Sequence, residues 1–313
     1  MTATGTRHVA AIVGATLAAT GMVGASAAPH ALALLGQVQI PALEPDGVVQ
    51  ELSGIGWDAD AGLIYAVSDR GMLYHLRVTV ADGRLIAAEA VASYGLADEN
   101  GAPLAVANAE DLAVLNGANG VAGDTELLIV LEDGPSAARF SPQGMRLAAV
   151  DLPPILRDKA AYASKNRGLE SIAVDPGHGL ITAPESPLAG QPEALHRLYA
   201  ADGTTWDFPA AQAGESRLKA IAMLDDGDLL VMERLKVAKG KQEARLRRVS
   251  LGACPPGGIC AVEELAIDGQ PALPGNYEGM TALPDGRILM VTDQPAKDGT
   301  PTVLSLIGPA PPR

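Results

Sequence analysis

The sequence predicts an all-β protein, a β-propeller with five blades most favoured, and a recurring pattern is the main reason. Five times the chain repeats an often acidic residue, a β-rich run, a turn, a second β-rich run and a closing acid. The copies open at Ser53, Glu110, Glu170, Lys219 and Glu278. A repeat of this length with several strands in each unit is typical of propeller blades.

The turns inside these copies support the same fold. Pro284-Asp-Gly-Arg287 separates the two apolar runs of the last copy, Asp225-Asp-Gly227 those of the fourth and Asp175-Pro-Gly177 those of the third. Such turns join the two strands of a β-hairpin. The second copy has a longer connection, Asn116 to Asp124, for which we expect a surface loop. Weaker apolar runs follow each hairpin and would complete a four-stranded blade.

The two ends of the chain complete the predicted ring of blades. The fifth unit ends after Thr302 to Ile307 and is one strand short, while the apolar segment Leu34 to Ile40 has no partner in its own part of the chain. Adding this N-terminal strand to the fifth unit closes the ring and covers an open sheet edge. Six blades remain an alternative if a long unit contains a further sheet.

The first residues predict a signal peptide. Arg7 and His8 precede an apolar, uncharged run from Val9 to Val23, and Ala25-Ser-Ala27 provides small residues for cleavage after Ala27 or Ala28. A retained membrane anchor is the alternative, although the run is short for a membrane span. We therefore expect residues 1–28 to be a signal peptide, residues 29–313 to be one propeller domain, and the mature protein to be periplasmic or secreted.

The two cysteines fit an oxidising compartment. Cys254 and Cys260 enclose Pro-Pro-Gly-Gly-Ile, which favours a turn that brings the thiols together. Two thiols without a nearby histidine make a poor zinc site. We therefore predict a local structural disulfide.

The charge of the chain limits its partners. The net charge is −14, and it becomes −15 without Arg7, with 22 basic against 37 acidic residues. Binding to nucleic acid or to an anionic membrane surface is therefore not expected. The charge favours solubility, cation binding, or substrates that arrive with a cation. As separate expectations, the protein is a monomer and its partner is a small anionic or ester substrate.

The acidic positions of the repeat point to one functional site. The closing positions are Asp69, Glu132, Glu185, Glu233 and Asp293, so eight of the ten opening and closing residues are carboxylates. In a four-stranded blade these two positions lie at the same end of the central channel. Solvation of strand ends would explain single acids there, but it does not predict a periodic pattern.

Crowded carboxylates need neutralising charge, and the sequence offers two sources of it. The first is a hard cation with oxygen ligands, of which Ca²⁺ fits best. Its predicted ligands are Glu110, Glu170, Glu278, Asp69, Glu132, Glu185, Glu233 and Asp293. The second is an internal network of salt bridges with Lys219, Arg70, Arg167 and Arg234.

These residues resemble the family described as having esterase-like activity of phytase, a group of exported propellers. The resemblance spans Glu51 to Asp293 and rests on six motifs: Leu52-Ser-Gly-Ile55, Tyr65-Ala-Val-Ser-Asp-Arg-Gly71, Asn166-Arg-Gly-Leu-Glu170, Leu229-Leu-Val-Met-Glu-Arg234, Asn276-Tyr-Glu-Gly-Met280 and Leu289-Met-Val-Thr-Asp293. It implies a propeller and the hydrolysis of phosphate esters or other esters. The chain departs from the family pattern at Asp111 and Ser171, where glycine is more usual, and at Lys219, where an acid would fit. These departures indicate a weaker or altered central site.

Metal-assisted hydrolysis is the chemistry that these residues favour. A carboxylate such as Glu170 or Glu278 would orient or deprotonate water. The basic residues Arg70, Arg167, Arg234 and Lys219 would clamp the anionic substrate. The predicted catalytic residues are Glu170, Glu278, Lys219, Arg70 and Arg234. No Gly-x-Ser-x-Gly motif occurs, and a serine placed like Ser53 is typical of a turn. A non-catalytic binding or scaffold propeller with a structural cation is the alternative, and a lactonase-like enzyme is a further one.

Overall fold

The computed structural model describes residues 1, 32–44, 47–104, 108–132, 134–164, 167–294 and 301–310. The predicted signal peptide, apart from Met1, lies outside the described residues. All described strands belong to the unit Ala31–Arg313. None of the described helices is long and apolar enough to cross a membrane.

The strands form five antiparallel sheets, which are the blades of a propeller. Strand β1 (Leu32–Gln39) opens the described fold. The first blade contains β2 (Leu52–Asp58), β3 (Leu63–Ser68), β4 (Met72–Ala81) and β5 (Arg84–Gly95), and the second β6 (Ala109–Leu115), β7 (Glu126–Leu131), β8 (Ser136–Phe140) and β9 (Arg146–Val150). The third contains β10 (Leu169–Asp175), β11 (Gly179–Pro184), β12 (Leu195–Ala200) and β13 (Thr205–Pro209).

The remaining strands form the fourth and fifth blades. The fourth contains β14 (Arg217–Met223), β15 (Leu229–Ala238), β16 (Lys241–Val249) and β17 (Val262–Leu265), with β18 (Leu273–Pro274) also paired to β16. The fifth contains β19 (Tyr277–Ala282), β20 (Ile288–Thr292) and β21 (Val303–Pro309). Helix α1 (Pro154–Arg157) and the 3-10 turns Lys159–Ala161 and Leu251–Ala253 lie in connections. The five-bladed propeller predicted from the repeat is therefore confirmed.

The fifth blade is built from both ends of the described chain. Strand β1 pairs antiparallel with β21, from Leu32 opposite Pro309 to Gln39 opposite Val303. Its sheet has the order β1, β21, β20, β19. The N-terminal strand therefore covers an edge of the last blade that would otherwise be open.

The first strand of each blade lies at the centre and contacts the first strands of the two neighbouring blades. The strands approach closely: a Cβ atom added to Gly54 of β2 would lie 2.5 Å from the Cα atom of Asp111 of β6. Farther from the axis, apolar side chains of adjacent blades pack together, as Ile181 and Phe208 of the third blade do with Leu218 and Val231 of the fourth. Burial of these faces between the sheets stabilises the ring.

The predicted disulfide is present. Cys254 and Cys260 are bonded, with their Cα atoms 4.4 Å apart. The backbone N–H of Cys260 donates to the carbonyl of Asp207 at 2.8 Å. The disulfide loop of the fourth blade therefore contacts the outer strand of the third.

Every innermost strand carries a β-bulge at the same place, and these bulges position the site. The pairing with the second strand skips one residue in each blade. The skipped residues are Ser53, Glu110, Glu170, Lys219 and Glu278, which are the five opening residues of the sequence repeat. Because a bulge re-aims the side chain of its extra residue, all five can be directed toward the channel end.

Candidate functional site

The bulges define a ring of ten residues at one end of the central channel. Five are the bulged residues. In each blade, the residue just before the bulge pairs with a residue of the second strand, and the next residue after that partner is the other ring member. We call these ten the axial ring: Ser53, Glu110, Glu170, Lys219 and Glu278 with Asp69, Glu132, Glu185, Arg234 and Asp293. Seven members are carboxylates, and the fourth blade supplies both cations.

The fourth blade differs from the predicted pattern by one residue. Leu218 pairs with Glu233 just before the bulge, so the residue in the ring position is Arg234 and not Glu233. Successive residues of a strand point to opposite faces, so this offset directs the Glu233 carboxylate elsewhere. The sequence alone placed Glu233 among the acids of the channel end, and the strand pairing gives that place to an arginine.

Lys219 lies among three carboxylates of the ring. Its side chain is buried, and its Nζ atom is 2.9 Å from Oε1 of Glu185 and 2.8 Å from Oε2 of Glu278. It also contacts Oε1 of Glu170. The ammonium group therefore links the third, fourth and fifth blades at their centre.

Arg234 adds a second cation to the same acids. Its Nη2 atom lies 3.1 Å from Glu185, and its Nη1 atom contacts Glu278 and donates to Oδ1 of Asn276 at 3.2 Å. Glu185 and Glu278 each contact both cations. Salt bridges within the chain therefore neutralise this part of the ring, as the alternative of an internal salt-bridge network predicts.

Several carboxyl groups of the ring have raised pKa values, so they stay protonated up to a higher pH than usual. Burial raises the pKa of Glu170 to about 8, and this effect outweighs the opposing charge of Lys219. Burial together with the charge of Glu170 raises the pKa of Glu110 well above its usual value. Burial and the neighbouring carboxylates raise the pKa of Asp293 to about 6. The ring thus contains groups that can donate or accept a proton near neutral pH.

Asp69 and Asp293 come from the adjacent first and fifth blades. Burial raises the pKa of Asp69, and the charge of Glu278 raises it further. Among the described residues, neither Oδ1 atom of this pair has a hydrogen-bond partner, although both are buried. Oδ2 of Asp293 accepts a hydrogen bond from Asn276 at 3.0 Å. Two oxygen atoms of the ring thus remain free for a ligand.

The fit to a hard cation differs between parts of the ring. In the part of the chain that the structure describes, no group of three or more His, Cys, Asp or Glu side chains is arranged to hold a metal ion. The oxygens of Glu170, Glu185 and Glu278 face Lys219, so a cation does not fit among them. The free oxygens of Asp69 and Asp293 are the donor type that Ca²⁺ prefers and fit part of its shell.

Glu132 is held by neutral donors. Asn108 donates to its Oε2 atom at 2.5 Å, and the backbone N–H of Gly168 donates to its Oε1 atom at 2.7 Å. Burial raises the pKa of Glu132, which these two hydrogen bonds oppose. Its carboxylate is therefore fixed in orientation between the second and third blades.

Glu233 belongs to a separate buried cluster. It accepts hydrogen bonds from Nε2 of His196 at 3.0 Å and from the backbone N–H of Ala211 at 2.9 Å, and it contacts Arg247. Burial would raise the pKa of Glu233, but His196 and Arg247 outweigh burial and lower it to about 2. The carboxylate therefore stays ionised and joins strands of the third and fourth blades.

This cluster does not form a Ser–His–acid triad. The hydroxyl of Ser216 lies 3.5 Å from Nε2 of His196, the same nitrogen that contacts Glu233. In a triad the serine and the acid contact different nitrogens of the histidine.

Arg70, a predicted clamp, makes its contacts outside the ring. Its side chain is 61% exposed and donates to Glu51 through Nη2 at 2.9 Å and through Nε. Glu51 lies directly before β2. The structure therefore brings Lys219 and Arg234 together with the acids and engages Arg70 with Glu51.

Sequence reasoning considered Glu51, two positions before Ser53, but missed the residues at the same position in other blades. Asn108 and Asn276 occupy this position in the second and fifth blades, and each donates to the closing carboxylate of its own blade. Arg217 occupies it in the fourth blade and pairs across the strands with Arg234. Aligning the five copies two residues upstream would have revealed these positions.

Asp111 gives a structural role to one departure from the family pattern. Its buried carboxylate accepts hydrogen bonds from the backbone N–H groups of Ile172, at 3.0 Å, and Leu112, at 2.9 Å. Burial raises its pKa well above the usual value, against the effect of these hydrogen bonds. The side chain therefore bridges the innermost strands of the second and third blades.

The fold and the site define a five-bladed propeller with a buried acidic ring that two cations partly neutralise. The family described as Phytase-like, esterase-like activity of phytase, matches residues 48–302. The chain belongs to this family. No functionally curated protein matches it.

Distant solved structures are similar to parts of the chain. A gluconolactonase from Xanthomonas campestris is 15% identical, with 89% of this chain and 82% of that chain covered and a TM-score of 0.46. A protein of unknown function from Bacteroides caccae is 13% identical, with 80% and 74% covered and a TM-score of 0.38. The Dos1 propeller is 10% identical, with 82% and 67% covered and a TM-score of 0.36. At these distances the similarities carry no argument about function.

Proposed function

We propose that the protein is an exported, calcium-dependent hydrolase of phosphate esters or related esters, with the axial ring as its active site. The observation that carries the proposal is the convergence of seven carboxylates and two cations on one channel end. Burying charges of this kind costs free energy, and clusters of perturbed titratable groups are typical of functional sites. Membership of a family described by esterase-like activity supports the choice of ester hydrolysis.

The ring residues suit the proton transfers of hydrolysis. With a pKa of about 8, Glu170 exists in both protonation states near neutral pH. It can take a proton from water and return it to a leaving oxygen. Glu110 is the equivalent residue of the neighbouring second blade, and its pKa is also raised, in part by the charge of Glu170. We assign proton transfer to these two glutamates.

The cations of the ring suit charge stabilisation. The side chain of Arg234 is 21% exposed, whereas that of Lys219 is 7% exposed. Arg234 is therefore the cation that an entering oxyanion reaches first, and Lys219 fixes Glu185 and Glu278 around it. Charge-assisted hydrogen bonds from a guanidinium are among the strongest that a protein offers to a phosphate.

Asp69 and Asp293 are the residues that would hold Ca²⁺ in this proposal. Their free buried oxygens support the assignment, and Asn276 orients the carboxylate of Asp293. Bound there, the ion would polarise a substrate oxygen, which is the chemistry that a hard cation supplies to ester hydrolysis.

A non-catalytic propeller is the second candidate, because the contacts of Lys219 favour it. A buried ammonium that joins three blades is also what a purely structural network would contain. In that case the ring would hold the blades together, and the channel end would bind a ligand without turning it over.

A turnover assay separates the two candidates. Purified protein is incubated with 4-nitrophenyl phosphate, a 4-nitrophenyl carboxylic ester and a lactone, each in EDTA and in added calcium. We expect calcium-dependent turnover of an ester, lost in Glu170→Gln. The matched control is Glu126→Gln, because Glu126 pairs with Arg139 at the other end of its blade. A stable, folded protein without turnover of any substrate would reject the hydrolase and favour the binding propeller.

A further inference from the structure

A polar cavity lies beside the axial ring, between the third and fourth blades. It has a volume of about 110 Å³. Arg167, Ser186 and Arg217 line it together with Glu193, the loop 187–191 and Ser216. This volume suits one small oxyanion.

The two arginines of the cavity lack acidic partners. Within the described residues, no carboxylate lies within salt-bridge distance of Arg167 or Arg217, although seventeen such contacts occur elsewhere. Nη1 of Arg217 donates to the carbonyls of Gly214, at 3.1 Å, and Ser216, at 2.9 Å. These bonds fix the position of its guanidinium without neutralising it.

The charges around the cavity favour an anion. Burial lowers the pKa of Arg217, and the positive charges of Arg167 and Arg234 lower it further, against the opposing charges of Glu185 and Glu193. Glu193 is the acidic side chain of the lining, so the cavity has two cations against one anion. Like charges held together are unfavourable, and a bound oxyanion would relieve their repulsion.

Ser186 provides an independent observation. The residue is 4% exposed and lines the cavity, and its hydroxyl has no hydrogen-bond partner among the described residues. A buried hydroxyl without a partner is uncommon in folded proteins and calls for an explanation such as a ligand. A hydroxyl can donate to an oxyanion, as both guanidinium groups can.

The cavity adjoins the axial ring through the chain itself. Arg217 lies opposite Arg234 in the pairing of β14 with β15, and Ser186 directly follows Glu185. Arg167 precedes Glu170 by three residues. The lining of the cavity therefore includes direct neighbours of ring residues, in the strand pairing and along the chain.

We propose that Arg167, Arg217 and Ser186 form a subsite for an oxyanion group, a phosphate or carboxylate, that the ester substrate carries next to the bond that is cleaved. This assignment rests on the proposed hydrolase, and it narrows the substrate class to anionic esters. Arg234 serves the reacting ester, and the subsite fixes the rest of the molecule. Arg167 and Arg217 are thus positioning residues of the substrate.

Binding is tested without any turnover. Inorganic phosphate is titrated into the full protein by calorimetry, with chloride held constant. We expect phosphate to bind, and Arg217→Gln and Arg167→Gln each to weaken it by about tenfold, as the loss of a charge-assisted hydrogen bond implies. Ser186→Ala should weaken it by a smaller factor without removing charge. The control Arg77→Gln removes an exposed arginine that faces Glu89 at 3.9 Å, and it should change nothing.

Kinetics then test whether the oxyanion belongs to the substrate. The anionic 4-nitrophenyl succinate monoester is compared with neutral 4-nitrophenyl butyrate. We expect Arg217→Gln to raise the KM of the anionic ester by about tenfold, with kcat and the KM of the neutral ester unchanged. An equal change for both esters would overturn the substrate assignment.

The two proposals fail in different ways. Phosphate binding that depends on the arginines, without turnover of either ester, rejects the hydrolase and leaves an oxyanion site with no substrate role. Turnover with phosphate binding that is absent, or unaffected by all three variants, rejects the subsite and leaves the hydrolase. If Arg217→Gln does not fold, Arg167→Gln and Ser186→Ala still decide the question.

Discussion

The Nζ atom of Lys219 in the fourth blade lies 2.8 Å from Oε2 of Glu278 in the fifth, and the same atom contacts Glu170 and Glu185 in the third. One ammonium group thus meets three carboxylates at the point where the innermost strands converge. The bulges place Lys219, Glu170 and Glu278 at equivalent positions of their blades. Lys219 therefore puts a positive charge where the equivalent residues of the neighbouring blades are acidic.

Replacing Lys219 by methionine is expected to destabilise the fold strongly. Methionine is slightly shorter and uncharged, so the change fills most of the space but removes the ammonium group that three buried carboxylates share. Removing one partner of a buried ion pair costs about 3 to 5 kcal/mol. Urea unfolding of Lys219→Met against wild type measures the loss, and Lys236→Met, at an exposed position of β15, is the control. Equal midpoints for the Lys219 variant and wild type would contradict a central role for the ammonium.

The blades could be predicted from the sequence, and the ring only in part. The bulge residues were found because each copy repeats the same short sequence pattern, with a turn between two strands. The position of Arg234 was missed because strand register is set by the bulge, and the bulge leaves no mark in the hydrophobic pattern. The threefold contact of Lys219 was missed because it depends on how closely the blades approach. The repeat in the sequence does not show the distance between neighbouring blades.

The raised pKa values predict a stability that falls as the pH rises. Glu170, at about 8, and Asp293, at about 6, bind protons more tightly in the folded protein than in the unfolded chain. Between their unfolded values near 4 and these folded values, the unfolded state binds fewer protons, so the free energy of unfolding decreases with pH. Urea unfolding from pH 5 to 8.5 in EDTA measures the slope. Glu170→Gln should flatten it between pH 6 and 8, and an unchanged slope would contradict the raised pKa of Glu170.

The lowered pKa of Glu233 predicts the opposite pH dependence of stability, which falls as the pH is lowered. Its folded pKa of about 2 is below its usual value, so its contribution is present above about pH 4.5 and is lost as the pH falls toward 2. Glu233→Gln removes the buried charge that Arg247 faces and should destabilise the protein at pH 7 by about 3 kcal/mol or more. The loss should shrink as the pH is lowered. Glu126→Gln is the control, and a loss independent of pH would contradict the lowered pKa.

Calcium binding at Asp69 and Asp293 gives the last prediction, which rests on their free buried oxygens. Added calcium should raise the melting temperature of the wild-type protein above that in EDTA, because an ion that binds only the folded state stabilises it. Asp293→Asn keeps the shape of the side chain and removes a charge, so the variant should melt at a similar or higher temperature in EDTA and gain little from calcium. Asp69→Asn should behave in the same way, since the two carboxylates share the ion. The exposed pair of Asp226 with Arg248 provides the control Asp226→Asn, which should keep the full calcium response. A wild-type protein whose melting temperature does not respond to calcium would mean that Lys219 and Arg234 are the counter-ions on which the ring depends.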